Sequence, residues 1–245
     1  MPPGRYLFVS DLHLDGSAPR AIDAFVAFLE GEARRSAGLF ILGDLFEAWI
    51  GDDDDDPARA RVCDALKALT AAGIPCRVQH GNRDFLLGAG FAARTGCTLL
   101  PDPFHCTLGG RQVVLSHGDL LCTRDLAYQR FRRIVGRRGI QRAWLALPLA
   151  ARRRLASGLR RQSRAHTRRM AADIMDVTPD AVAGLLRERD ADVLVHGHTH
   201  RPGVHALQVD GRARQRIVLG DWYDQGSVLV LDADAAPDLR VLSIA

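Results

Sequence analysis

The stretch Leu39-Phe40-Ile41-Leu42-Gly43-Asp44 is an apolar run that stops on a glycine and a carboxylate. The run reads as a strand and the Gly-Asp pair as the turn that leaves it. The same build recurs four more times. Tyr6 to Ser10 leads into Asp11-Leu12-His13, Arg77 to Gln79 into Gly81-Asn82-Arg83-Asp84, Val113 to Ser116 into His117-Gly118-Asp119, and Val193 to Val195 into Gly197-His198-Thr199-His200. In open α/β sheets ligands collect at the carboxyl ends of strands, so the five motifs are expected to converge in space.

What would converge is a set of seven metal donors: the carboxylates of Asp11 and Asp44, the amide oxygen of Asn82, and the imidazoles of His13, His117, His198 and His200. Seven donors are too many for one tetrahedral ion and suit two ions that share a bridging carboxylate, roughly 3.5 to 4 Å apart. Nitrogen and oxygen without thiolate favour Mn, Fe or Zn over Cu(I) or a structural zinc. Taken singly each residue has an ordinary reading, as a core histidine, a turn or a tight loop; the ordered set is what points to a dinuclear hydrolase. His196 shares a strand face with His198 and is expected to support the site without ligating. His80, His105, His166 and His205 have no such placement.

The five-block order resembles the calcineurin-like metallophosphoesterase superfamily. That resemblance implies a four-layer α/β/β/α sandwich in which Asp11, His13, Asp44 and His200 hold one metal and Asp44, Asn82, His117 and His198 the other, with Asp44 as the bridge. Longer stretches, Ile41 to Asp52, His80 to Gly88, His117 to Thr123, Ile174 to Val177 and His196 to Pro202, look like the UDP-2,3-diacylglucosamine diphosphatases of lipid A biosynthesis. The implied reaction is cleavage by water into UMP and 2,3-diacylglucosamine 1-phosphate, with Mn2+ as the metal. By the same resemblance Asn82, Arg83, Asp125, Tyr128, Ser163, Thr167, Met170 and His198 would contact the substrate, Asn82, Arg83 and His198 also serving catalysis. This chain departs from the family pattern at Thr167, often Asn, at Met170, often Lys, and at Arg124, Asp in some members.

Charge is distributed unevenly. From Leu126 to Met170 there are 14 arginines and no Asp or Glu, whereas the whole chain carries only +4, so the remainder is near −10. Such asymmetry points to an anionic partner. Apolar residues recur within the basic segment, Phe131, Ile134 and Val135 and then Trp144, Leu145, Leu147 and Leu149, with a break expected at Pro148. Basic helices with an apolar side read as an interfacial membrane element or a lid over an acyl pocket. Nucleic acid is the rival partner, but the only aromatics there are Tyr128, Phe131 and Trp144, too few for stacking platforms. The expected partners are the acylated UDP-sugar and the inner face of the inner membrane, with no nucleic acid. A general nucleotide or cyclic-nucleotide phosphodiesterase remains the alternative, as does a scaffold that keeps the fold without catalysis, a reading that predicts lost ligands.

At 245 residues and 47% apolar content, the chain suits one α/β core with an insertion. Residues 1–120 and 172–245 are expected to form the catalytic core and 121–171 a basic helical cap. Amphipathic faces appear at Ile22/Phe25/Val26/Leu29, Val62/Leu66/Leu69 and Val182/Leu185/Leu186, the last opened by Thr178 and Pro179. Ile217 to Leu219, Val228 to Leu231 and Val241 to Ile244 read as antiparallel strands. From five cysteines without a CxxC pair, no apolar leader and no spanning segment, the chain is expected to be cytoplasmic and peripheral to the membrane. Asp52 to Asp56 reads as a solvated loop. Trp49 is open between packing on a sugar-nucleotide ring and packing in the core.

Overall fold

The computed structural model describes residues 4–167, 176–232 and 235–244, with the side chains of 161–167 outside the description. Two mixed sheets stack face to face. The first has the order β11-β10-β1-β2-β3-β4, built from β1 (Tyr6–Val9), β2 (Gly38–Leu42), β3 (Cys76–Gln79), β4 (Thr98–Leu100), β10 (Gln225–Leu231) and β11 (Asp238–Ser243); the second has β5 (Phe104–Leu108), β6 (Arg111–Ser116), β7 (Val193–His196), β9 (Arg212–Val218) and β8 (Gly203–Val209), in the order β5-β6-β7-β9-β8. β1, β2, β3 and β4 run parallel, as do β6, β7 and β9.

The apolar side chains sort into three layers of contact. Phe8, Phe40, Leu42 and Leu229 of the first sheet meet Leu115, Val193, Val195 and Ile217 of the second. Leu7, Val9, Leu39 and Ile41 point the other way, against α1 (Pro19–Glu30), α2 (Pro57–Ala71) and α3 (Ala89–Thr95). Val114 and Leu194 pack under Val182 and Leu186 of α7 (Pro179–Glu188). Period-two alternation explains this division, since each buried strand sends successive side chains to opposite faces. The result is the α/β/β/α order.

Local signals account for the element ends. Pro19, Pro57 and Pro179 each sit in a first helical turn, where a missing N–H costs nothing. Asp56 caps α2 by accepting from Arg59 N at 3.1 Å. One expectation needs correction: the Ile217 run is antiparallel to β8 but parallel to β7, because β9 lies between them. β10 and β11 are antiparallel as expected.

Residues 126–167 form α4 (Leu126–Val135), α5 (Arg138–Leu145) and α6 (Leu149–Thr167), with Pro148 at the break between the last two. Their arginines reach back to the acidic run, which is exposed at Asp52, Asp53 and Asp55 as expected from its charge but buried at Asp54. Arg152 is buried and donates to Ile50 O and Asp53 Oδ1, both at 2.8 Å. Asp54 is buried between Arg59 and Arg153, and Arg153 also binds Asp55. Asp52 accepts from Trp49 Nε1 at 2.9 Å and from Gly88 N and Gly90 N at 3.0 and 2.8 Å. Five adjacent carboxylates repel one another only until cations from elsewhere in the chain meet them. Trp49 is a core residue, packed on Phe46 and Phe91.

Candidate dinuclear metal centre

Beyond the ends of β1 and β2 the two chains stay paired. Asp11 N donates to Gly43 O at 3.2 Å, His13 N to Asp44 O at 3.0 Å and Leu14 N to Leu45 O at 3.0 Å. This ladder brings Asp11, His13 and Asp44 together. Asp11, His13, Asp44, His198 and His200 all take positive φ, between 50° and 67°. Left-handed backbone at non-glycine residues costs about 1 kcal/mol or more each, and its concentration here marks a functional site rather than a packing requirement.

Asp84 ties in the third loop, accepting from Gly81 N and Asp44 N through Oδ1 and from Leu45 N through Oδ2. Arg83 N donates to Asp44 Oδ1 at 2.8 Å. The other oxygen, Oδ2, thereby faces the pocket, 3.9 Å from His13 Nε2 and 3.8 Å from His117 Nε2. Gly81 is required for this approach, since a Cβ there would overlap the Asp44 carboxylate. The second sheet joins through Gly197 N, which donates to His117 O at 2.9 Å, and through His198 N, which donates to Asp11 Oδ2 at 2.8 Å.

The imidazoles are oriented by what faces their outer nitrogens. His13 Nδ1 lies 3.1 Å from Glu47 Oε2, His200 Nδ1 lies 3.0 Å from Asp221 Oδ2, and His117 Nδ1 donates to Leu42 O at 2.9 Å. With the proton on Nδ1 in each ring, the Nε2 lone pairs point inward. His13 Nε2 and His200 Nε2 are 3.4 Å apart, and Asp11 Oδ1 is 3.3 Å from His200 Nε2. On the other side Asn82 Oδ1 is 3.0 Å from His117 Nε2. Asp11 Oδ1 is buried without a hydrogen-bond donor. Lone pairs and a buried carboxylate oxygen facing one another at these distances need positive charge between them, so the donor set fits divalent cations.

Without metal, protons take up the positive charge that this donor set calls for. Burial pushes the Asp44 carboxyl up to about 6, and His117 and His13 only partly offset it. Burial would lower His117 and His200, but Asp44 and Asp11 raise the first to about 9, and Asp11 and Asp221 raise the second to about 10. Asp11 is held far below the carboxylate range by His200, His117 and His13 despite its burial. His198 moves the other way, down to about 4, through burial and then the neighbouring His117.

Five of the expected donors, Asp11, His13, Asp44, His117 and His200, converge here with Asn82 Oδ1 beside His117, while His198 stands apart, its ring centroid 5.0 Å from that of His117. His196 does not ligate. It is buried, faces Gly197 O through Nδ1 and accepts from Arg216 Nε at 3.0 Å through Nε2. Burial and Arg216 push it down to about 3, so it is a neutral support. Arg83 Nε is buried with no hydrogen-bond partner. Tyr128 stacks on His198 with centroids 6.0 Å apart, and Asp125 caps α4 by accepting from Tyr128 N at 2.9 Å. The Ser163 and Thr167 side chains and all of Met170 lie outside the described residues.

Several residues at the site went unassigned in the sequence reading. Glu47 and Asp221 orient ligand histidines, Asp84 fastens two loops, and Tyr223 stacks on His13 with centroids 5.1 Å apart. Asp119 accepts from Arg132 Nε at 2.7 Å and from the Tyr128 hydroxyl, tying α4 to the His117 loop. Asp84 and Asp119 close two of the five motifs, and Asp221 carried a like signal: Val218-Leu219-Gly220-Asp221 repeats the apolar-run and Gly-Asp build of Gly43-Asp44. Glu47 acquires its partners from segments distant in the chain.

Residues 4–202 match the sequence profile of the calcineurin-like phosphoesterases. The chain is 51% identical over 224 residues to UDP-2,3-diacylglucosamine hydrolase of Aeromonas hydrophila, covering 91% of this chain and 93% of that one. It is 51% identical over 230 residues to the protein of the same name from Pseudomonas paraeruginosa, covering 93% and 95%, and 50% identical over 235 residues to that of Stenotrophomonas maltophilia, again covering 93% and 95%.

Proposed function

The chain belongs to the calcineurin-like phosphoesterase family, and from that premise we propose that the pocket around Asp44 hydrolyses UDP-2,3-diacylglucosamine to UMP and 2,3-diacylglucosamine 1-phosphate in lipid A biosynthesis. The observation that carries the reading is the position of Asp44 Oδ2, set between His13 Nε2 and His117 Nε2 with a further donor set on either side. Asp11, His13, Asp44 and His200 would hold one ion, and Asp44, Asn82, His117 and His198 the other. Two divalent ions, Mn2+ in this reading, would supply positive charge for a phosphoryl oxygen and lower the pKa of water towards neutrality.

The chain's own groups do the rest. Glu47, Asp221 and Leu42 O hold three imidazoles with their lone pairs inward. Arg83 N keeps Asp44 turned so that one oxygen serves the pocket. The guanidinium of Arg83, with Nε lacking a partner, is positioned to take two phosphate oxygens and neutralise the charge that grows during attack. The oxygen of water would bond to the uridine-side phosphorus as its proton passes to solvent, the bridging P–O bond would break, and the sugar 1-phosphate would leave with that oxygen. His198, neutral at pH 7, would contact the head group beside Tyr128.

Residues 121–171 would form a cap over a core of 1–120 and 172–245 and receive the acyl chains. Eight of the eleven exposed large apolar side chains among the described residues lie between Leu126 and Leu159. Arg130, Arg133, Arg137, Arg138 and Arg142 are exposed beside them. Apolar groups among arginines suit the cytoplasmic face of an anionic membrane. No described helix is long and apolar enough to cross a membrane. In sedimentation with phosphatidylglycerol vesicles, neutralising Arg137, Arg138 and Arg142 together is expected to weaken binding; unchanged binding would remove the membrane role.

The test of the catalytic reading is Mn2+-dependent hydrolysis of UDP-2,3-diacylglucosamine in detergent, beside UDP-N-acetylglucosamine and a cyclic nucleotide, with products identified by mass. Release of UMP and the lipid monophosphate from the acylated substrate alone is expected. Equal turnover of the soluble compounds would make the chain a broader phosphodiesterase.

A further inference from the structure

The 126–167 helices do more than lie near the metal pocket, because one of their arginines reaches a carboxylate that holds a ligand histidine. Glu47 is buried in the loop after Asp44. Its Oε2 lies 3.1 Å from His13 Nδ1, and its Oε1 lies 2.7 Å from Arg160 Nη2 on α6. Arg160 Nη2 is also 3.5 Å from Asp15 Oδ2, two residues past His13.

We propose that Glu47 and Arg160 are positioning residues that couple the placement of α6 to metal binding at His13. A cation on His13 Nε2 draws electron density from the ring and makes Nδ1–H a stronger donor to Glu47. Arg160 keeps Glu47 aimed at that proton, so a docked α6 raises the affinity of the His13 half of the pocket. By linkage the metal must tighten the docking of α6 by the same factor. The residues fit this use better than simple cap attachment, which Arg152 and Arg153 already provide through Asp53, Asp54 and Asp55.

The inference rests on the metal-pocket reading but not on the substrate, and its test contains none. Mn2+ is titrated calorimetrically into the full chain, and amide exchange of residues 149–160 is followed with and without Mn2+. Outer partners of metal-bound histidines typically contribute 10- to 100-fold in affinity, so Arg160→Gln is expected to weaken the His13-side Mn2+ site by about 10-fold. In a Glu47→Gln background the same change should have little further effect, and Mn2+ should no longer slow exchange in α6. Arg153→Gln removes a docking contact that does not touch Glu47 while Arg152 keeps α6 in place, and should leave Mn2+ affinity within about twofold. Unchanged affinity in Arg160→Gln, an equal loss in Arg153→Gln, or a full Arg160 effect without Glu47 would each overturn the coupling. Circular dichroism of each variant separates these outcomes from failure to fold. Failure of lipid hydrolysis with the Arg160 dependence intact would remove the substrate reading alone.

Discussion

Asp44→Ala is expected to abolish hydrolysis, with a loss on the order of 10³-fold or more, because it removes the one oxygen that both halves of the pocket share and with it the means of supplying activated water at neutral pH. Asp44 Oδ2 stands 3.9 Å from His13 Nε2 and 3.8 Å from His117 Nε2. Asp84 is used up on backbone amides, and the free oxygen of Asp11, Oδ1, already faces His13 and His200 on one side of the pocket. The fold should survive. In the metal-free chain the Asp44 carboxyl is already disfavoured by burial, which pushes it up to about 6, so deleting it removes an unfavourable charge and no apolar packing. Turnover at saturating Mn2+, bound-metal stoichiometry and circular dichroism together check this. A folded variant with near-normal turnover would sink the dinuclear reading.

Gly197→Ala should damage the site through sterics alone. A Cβ at this position would lie inside contact distance of Ser10 Oγ and the Asp11 carboxylate. Both residues are fully buried, so neither can swing aside and the loop carrying His198 and His200 must shift instead. A misplacement of about 1 Å at reacting groups can cost on the order of 10²-fold in rate. Overpacking of a filled site adds about 1–3 kcal/mol of destabilisation. Gly184→Ala on α7 is the contrasting case: its Cβ would meet nothing within 4 Å, and alanine in a helix interior is favoured by roughly 0.5–1 kcal/mol. The pair is compared by kcat/KM and by thermal unfolding. Unaltered kcat/KM in Gly197→Ala would mean that the two loops need not approach as closely as the structure places them.

The fold and the candidate donors were legible in the sequence for one physical reason. A buried strand needs an uninterrupted or alternating apolar run, and the turn that ends it exposes polar groups at a fixed place, so Leu39 to Asp44 and its four counterparts declare both the sheet and its functional edge. The pairing of Ile217 was misread because an apolar run specifies a strand but not its neighbours. The order β7-β9-β8 is set by which strands return beside one another.

Charge was legible only as a sum. The sequence opposes a +14 segment to a remainder near −10, and that asymmetry reads as attraction to an external anion. In the folded chain Arg132, Arg152, Arg153 and Arg160 meet Asp119, Asp53, Asp54, Asp55 and Glu47, so part of the attraction is internal and fixes the helices to the core. Partners 99 residues apart, as Arg152 and Asp53 are, leave no local pattern.

The sequence by itself therefore determined the layered α/β architecture and the family and singled out the seven candidate donors, because each depends on short-range patterns of apolar and polar residues. Tertiary structure alone decided which groups hold the donors in place. Glu47 behind His13, Asp221 behind His200, Asp84 between two loops and Arg160 above Glu47 are contacts between distant segments, and their energies arise only once burial has removed the water that would otherwise screen them.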